Sequence, residues 1–251
     1  MTGTLKIATV TLNPAIDQTV SIPHFEAGQV NRVAQSQSDP GGKGVNVASV
    51  LADYGLSLVV TGFLGEENTR LFEGLFAQKD IEDRFLRISG STRTGIKMVD
   101  PDNKETTDIN FPGQQPQPDD VQALCRIVDD LTASCGWFVL AGSLPAGLLP
   151  DMYGKLVQLI RSRGCAVALD TSGDALRRAL PFGPNLIKPN LYELQEYIGQ
   201  ELESQAAIIA AAQGLLTEGV ETVVVSLGEQ GALFVEADET VSAKPPQVEV
   251  K

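Results

Sequence analysis

Short runs of apolar and β-branched residues alternate along this chain with longer segments whose apolar positions recur every three to four residues. Runs such as Ile7-Ala8-Thr9-Val10 and Val223-Val224-Val225 are apolar on both faces, the pattern of strands buried inside a parallel sheet. The pattern predicts strands over residues 5–12, 58–64, 137–140, 165–169, 185–187 and 222–227. Helices are predicted over 44–54, 68–78, 119–134, 150–163, 191–198 and 204–218, three of them stopped by Gly55, Gly164 and Gly219. Such alternation predicts an α/β fold with a mostly parallel sheet and helices on both faces, here as one domain over residues 1–251.

Two segments break that rhythm, residues 15–38 and 91–113. The first holds the alternating run Asp17-Gln18-Thr19-Val20-Ser21-Ile22. The second holds Thr94-Gly95-Ile96-Lys97-Met98-Val99, a turn at Asp100-Pro101-Asp102-Asn103 and a further run over 105–110, which together read as a hairpin. A small antiparallel sheet inserted beside the main domain follows. Its apolar face needs cover, from a substrate cleft or from the same flap of a second subunit, so a lid that also forms a homodimer is expected.

The strongest chemical signal is Pro40-Gly41-Gly42-Lys43-Gly44-Val45-Asn46-Val47-Ala48, a glycine-rich turn opening into a helix. Glycines let backbone N–H groups close round an anion, and the helix N-terminus adds partial positive charge. Gly44 stands where a Walker A loop needs Ser or Thr, and Val45-Asn46-Val47 supplies no third glycine for a dinucleotide fingerprint. The loop therefore suits another kind of phosphate, and a nicotinamide dehydrogenase is disfavoured. Small, polar or charged residues follow the apolar runs at Asn13, Gly65, Gly142-Ser143, Asp170, Lys188-Pro189-Asn190 and Ser226-Gly228. In an open α/β sheet ligands bind outside the carboxyl ends of the strands, so these positions are candidates for a binding crevice.

Composition narrows the ligand. A net charge of -13 over 251 residues opposes binding to nucleic acid or an anionic membrane, so a phosphate must be held by a few local cations, amides and a metal ion. Cys125, Cys135 and Cys165 are odd in number and lack CxxC spacing, which reads as small core residues of a cytoplasmic protein. His24 is the single histidine, and it sits beside Pro23 in an expected turn, which argues against a Ser-His-Asp triad or a histidine metal cluster.

Thr11-Leu12-Asn13-Pro14-Ala15-Ile16-Asp17, the Gly41 to Ala48 loop, Thr61-Gly62-Phe63-Leu64-Gly65, Ala141-Gly142-Ser143-Leu144-Pro145, Lys188-Pro189-Asn190-Leu191-Tyr192-Glu193 and Val225-Ser226-Leu227-Gly228 occur in an order that resembles the PfkB, ribokinase-like sugar kinases. Within that family the 1-phosphofructokinases are resembled most and the tagatose-6-phosphate kinases next. The resemblance implies a three-layer α/β/α sandwich with a small antiparallel β lid. It also implies ATP- and magnesium-dependent phosphorylation of a ketohexose phosphate, fructose 1-phosphate going to fructose 1,6-bisphosphate. Tagatose-6-phosphate or fructose-6-phosphate kinase activity is the near alternative, and a non-catalytic phosphosugar sensor the second class.

Carried over by position, Asp17 resembles the carboxylate that binds sugar hydroxyls, and Gly41, Gly42 and Asn46 the loop that cradles the sugar. Lys43 and Arg93 resemble the cations on the substrate's existing phosphate, a point charge and a bidentate fork. Ser143 faces the same pocket by this analogy. Lys188, Asn190, Glu193, Ser226, Gly228 and Gly231 fall on the nucleotide side, with Glu193 and Asp170 acting on magnesium. Each has a plainer reading: a cap for Asp17, a solvated cation for Arg93, a turn for Ser143, a first-turn carboxylate for Glu193. The family pattern continues past Pro245-Pro246-Gln247-Val248-Glu249-Val250-Lys251 into a G-A-G-D element whose aspartate is the base, and no G-A-G-D occurs within residues 1–251. No catalytic residue is therefore assigned in the chain, and it is expected to be inactive alone.

Overall fold

A computed structural model describes residues 6–246. Residue 5 of the first predicted strand and residues 247–251 lie outside that range. The chain divides into two compact units, Met1–Ile127 with Leu144–Leu148, and Val128–Ser143 with Leu149–Lys251.

In chain order the first unit runs β1 (Lys6–Thr11), β2 (Ala15–Ser21), β3 (Gln35–Gly41), α1 (Lys43–Asp53), β4 (Ser57–Gly65), α2 (Arg70–Gln78), β5 (Glu82–Asp83), β6 (Leu86–Ile88), β7 (Thr94–Asp100) and β8 (Glu105–Asn110), followed by α3 (Pro118–Leu131), within which the chain passes to the second unit. β1 and β4 pair in parallel from Lys6 opposite Ser57 to Thr11 opposite Gly62, and every residue of β4 after Ser57 is buried. That two-sided burial is why the run carries no alternation, and each fully buried Val, Leu or Phe in it contributes about 1.5–3 kcal/mol. β5 and β6 pair with β4 in parallel.

A second, four-stranded sheet in the same unit has the order β3-β2-β7-β8. Its outer pairs are antiparallel, whereas β2 and β7 run parallel, Asp17 opposite Gly95 and Val20 opposite Met98. The inserted lid is thus present, built around one parallel pairing. It also extends further than residues 15–38, because β3 runs through Pro40 to Gly41 and feeds straight into α1. The glycine-rich turn is the junction of a lid strand with a helix.

The second unit contains β9 (Trp137–Ala141), α4 (Met152–Ser162), β10 (Ala166–Asp170), α5 (Gly173–Ala179), β11 (Leu186–Ile187), α6 (Leu191–Ile198), α7 (Gln205–Leu216), β12 (Thr222–Ser226), β13 (Ala232–Val235) and β14 (Thr240–Ala243). β9, β10, β11 and β12 form a parallel sheet, and β13 and β14 add an antiparallel edge. Asn185 ties the starts of three strands together. Its Oδ1 accepts from Val167 N–H at 2.9 Å and Arg161 Nη1 at 2.8 Å, and its Nδ2 donates to Glu221 Oε1 at 2.8 Å. Anchoring β10, β11 and β12 at this end fixes where Asp170, Lys188 and Ser226 emerge at the other.

Candidate active site

In the first unit the segment from Asn13 to Asp17 is the common neighbour of Gly41, Gly42 and Arg93. Gly42, at φ 113°, is the N-cap of α1 and offers no side chain to its N-terminal N–H groups. A side chain at 42 would lie 2.9 Å from Thr11 Cγ2 and 3.1 Å from Pro14 Cα, and one at 41 would collide with the Asp17 carboxylate. Glycine is therefore demanded by close approach at both positions, which presses the Asp17 carboxylate against the end of β3. Gly44 is glycine because its β-carbon would overlap Thr11 Oγ1. Lys43 and Asn46, one turn apart at the start of α1, are exposed.

Arg93 approaches the same strip from the other side. Its backbone carbonyl accepts from Ile16 N–H at 2.8 Å, and its Nη2 lies 3.4 Å from the carbonyl of Asn13. The residues before it are pinned: Thr92 N–H donates to Asn68 Oδ1, Asn68 Nδ2 donates to the Thr92 carbonyl, and Thr92 Oγ1 accepts from Gly65 N–H. The Arg93 Nε is buried with no hydrogen-bond partner. A buried guanidinium donor left unmatched is costly, and an anion supplied by a ligand resolves it.

Asp17 is held above its ordinary pKa by burial, which outweighs the opposing attraction of Arg93 and Lys97, and Asp39 adds repulsion. The register explains the last effect, since Asp39 stands directly opposite Asp17 on the neighbouring strand. Asp17, Gly41, Gly42, Lys43, Asn46 and Arg93 all fall in the first unit, with Gly41, Gly42 and Arg93 directly against the segment from Asn13 to Asp17. Asn13, already among the strand-end candidates, meets Arg93 here, whereas Asn68 and Thr92, which pin the residue before Arg93, and Asn110 on β8 were not singled out. Asn13 carries a sequence signal at a strand end, whereas the others depend on pairings between distant segments.

Ser143 belongs to the second unit, exposed at the end of β9. Gly142 before it is fixed twice, by its N–H to the Asp170 carbonyl at 2.9 Å and by the Tyr153 hydroxyl to its own carbonyl at 3.0 Å. Tyr153 is fully buried, and burial, with the Asp170 charge second, pushes its hydroxyl far above its usual range, so it stays a neutral donor.

The strand ends of this unit carry the remaining candidates. Lys188 Nζ stands 3.2 Å from Asp170 Oδ2. Asn190 caps α6 in a reciprocal box, its Oδ1 accepting from Glu193 N–H and its own N–H donating to Glu193 Oε2, both at 2.8 Å. The N-x-x-E spacing is accordingly a helix start as well as a candidate ligand pair. Asn190 and Ser226 form a parallel bridge, and together with Tyr192, Gly228 and Gln230 they line a cleft of about 300 Å³. Gly228, at φ 60° with open space where a side chain would stand, leaves backbone accessible there. Gly231 does different work, since its missing side chain makes room for the Ala243 carbonyl of β14.

Among the described residues no three His, Cys, Asp or Glu side chains gather as a metal cage. Asp170 and Glu193 instead suit magnesium that arrives on nucleotide phosphates, since that ion usually takes one or two protein carboxylates and fills its octahedron with phosphate and water. No helix among the described residues is long and apolar enough to cross a membrane.

A parallel α/β sheet with an open helix N-terminus beside a small β lid defines a ribokinase-like kinase of small carbohydrates. The profile of the pfkB family carbohydrate kinases matches residues 7–251, and the chain belongs to that family. It is 48% identical over 244 residues to the 1-phosphofructokinase of Rhodobacter capsulatus, covering 97% of this chain and 77% of that protein. Phosphofructokinase-2 from Escherichia coli, solved in complex with fructose-6-phosphate, superposes with a TM-score of 0.91 at 28% identity, covering 98% of this chain and 82% of the other. The tetrameric inhibited form of that enzyme gives 0.90 at 29% identity, with 98% and 81% covered.

Proposed function

We propose that the chain transfers the γ-phosphoryl group of ATP to a ketohexose phosphate, converting fructose 1-phosphate to fructose 1,6-bisphosphate. The observation that carries this reading is the unmatched, buried Arg93 Nε. It belongs to the strip that also meets Gly41 and Gly42 at the uncapped N-terminus of α1. A phosphate dianion placed there receives a guanidinium, the Lys43 ammonium and backbone N–H groups, and the adjacent Asp17 carboxylate accepts from sugar hydroxyls. The 48% identity to a 1-phosphofructokinase favours fructose 1-phosphate over the 6-phosphates.

In the transfer the sugar's 6-hydroxyl oxygen forms the new P–O bond while the bond from the γ-phosphorus to the bridging oxygen breaks and ADP departs. Positioning and charge neutralisation supply most of the rate. Lys188, Asn190, Ser226 and Gly228 bind the nucleotide in this reading, and Asp170 and Glu193 would hold magnesium. When bound, that ion would neutralise charge on the phosphates. Ser143 is assigned to the sugar by the family pattern. The hydroxyl proton goes to a general base, which the family pattern assigns to the aspartate of a G-A-G-D element.

Subunit pairing follows from the lid's two faces. Ile16, Val20, Ile96, Met98 and Ile109 share one face by register, with Ile109 43% exposed, and a second copy of that face is the proposed cover.

Calorimetric titration with fructose 1-phosphate, fructose 6-phosphate and tagatose 6-phosphate tests the assignment. Fructose 1-phosphate should bind tightest. Tighter binding of either 6-phosphate would transfer the assignment to that sugar, and binding of none would overturn it.

A further inference from the structure

The lid face opposite the apolar one is polar, and it is organised around Gly95. By register Asp17 on β2 and Asn110 on β8 both stand directly opposite Gly95, one from each side. A β-carbon at 95 would lie 3.3 Å from Asp17 Oδ1 and 3.4 Å from Asn110 Oδ1. The two side chains therefore converge over the glycine, and a ligand oxygen seated just above it comes within hydrogen-bond reach of both.

We propose that Asn110 is a specificity-determining residue that binds a sugar hydroxyl jointly with Asp17, over a gap that Gly95 keeps open. This rests on the sugar-phosphate reading above. The amide oxygen of Asn110 faces the gap, and a half-turn of the amide about its Cβ–Cγ bond exchanges it for Nδ2; in that orientation one hydroxyl gives its proton to the Asp17 carboxylate and receives an N–H from Asn110. No hydrogen bond ties the Asn110 side chain to another described residue, which leaves the amide available. Its position is nonetheless fixed. Phe111 N–H, next in the chain, donates to the Thr94 carbonyl, and Gly113 packs so closely on the Asn13 side chain that a β-carbon there would collide with it. The segment after β8 is thereby tied to the residue whose carbonyl meets Arg93. A site that hydrogen-bonds a substrate hydroxyl discriminates strongly against the analogue lacking it, because the site's polar groups are then left unpaired.

The test is a cycle of Asn110→Ala against fructose 1-phosphate and its 3-deoxy and 4-deoxy analogues, read as binding constants by calorimetry, with circular dichroism confirming an unchanged fold. Asn110→Ala should weaken fructose 1-phosphate by about tenfold or more, and for one deoxy analogue most of that loss should vanish, since the partner hydroxyl is already gone. Gly95→Ala, which fills the gap, should weaken fructose 1-phosphate while sparing ATP. An Asn110→Ala loss equal on all three sugars, or no loss at all, would overturn the proposal while leaving the kinase reading intact. Failure of the unsubstituted protein to bind any of the sugars would instead overturn the reading on which it rests.

Discussion

Replacing Asn185 by alanine removes three side-chain hydrogen bonds from the starts of β10, β11 and β12 while leaving the backbone path unaltered. Asn185 is 7% exposed, and its carbonyl, which the substitution keeps, accepts from the N–H groups of Glu221 and Thr222. The largest loss is at Val167, wholly buried, whose N–H loses its acceptor. Stranding one buried backbone donor costs about 1–3 kcal/mol. The bonds to Arg161 and Glu221 involve side chains that are 36% and 66% exposed, where water substitutes readily, so each adds about 0.5 kcal/mol after screening. The total is about 3 kcal/mol. For a chain of this size that corresponds to a fall in Tm of about 6–12 °C. Differential scanning calorimetry of the variant beside the unsubstituted protein measures it. A fall below about 2 °C would show that Val167 finds another acceptor, and the role given to Asn185 would be wrong.

Arg93→Lys keeps the charge and loses the planar fork with its buried Nε, so fructose 1-phosphate affinity should fall at least about tenfold while ATP affinity holds; equal losses on both ligands would count against the assignment. Glu193→Gln separates the two jobs of that side chain. Its amide oxygen still accepts from Asn190 N–H, so thermal stability should move little, whereas the magnesium concentration needed for ATP binding should rise; an unchanged magnesium titration would leave only the capping role. At Asp100 burial raises the carboxyl pKa, but the N–H groups of Asn103, Phe25, His24 and Asp102 outweigh it and hold the pKa below its ordinary 3.8. Its stabilisation is therefore complete above that value and is lost as pH falls through the lowered pKa. Hydrogen-exchange protection at His24 and Phe25 should hold steady down to about pH 4 and drop below it, and Asp100→Asn should weaken it at every pH; protection unaffected by the substitution would refute the linkage.

What the sequence made legible follows from where each signal is stored. β4 is a continuous run buried at every residue after Ser57, and β1, β9, β10 and β12 are short runs dominated by apolar and β-branched residues, because burial on both faces writes itself into the sequence. β8 and β14 are exposed at every residue, so neither is written in hydrophobicity. β8 was still found, through the turn chemistry of Asp100 to Asn103, whereas β14 has no such marker and was missed along with β13. α5 spans seven residues, too few to display a helical period, and β5 and β6 are two and three residues long.

The candidate site divides in the same way. The loop from Gly41 to Gly44 is local, so its glycines and lysine are readable without a fold. Glu193 is local too, but its spacing supports a capping box and a magnesium role equally, and the coordinates show the first without touching the second. Arg93 and Asn110 are different in kind. Their meaning lies in the pairing of β2 with β7 and of β7 with β8, and the parallel contact joins segments almost eighty residues apart with no turn between them to set the register. What does survive in the sequence is the glycine. Gly95 interrupts an alternating run in which a side chain would otherwise favour pairing, and Gly41 ends another; each marks the place where the Asp17 carboxylate stands over the backbone. A glycine inside a strand pattern thus reports a close neighbour before that neighbour can be named: in the lid sheet Gly41 and Gly95 report the same Asp17 carboxylate, whereas Gly62 and Gly65 of β4 report the Thr11 carbonyl and the backbone of residues 90–92.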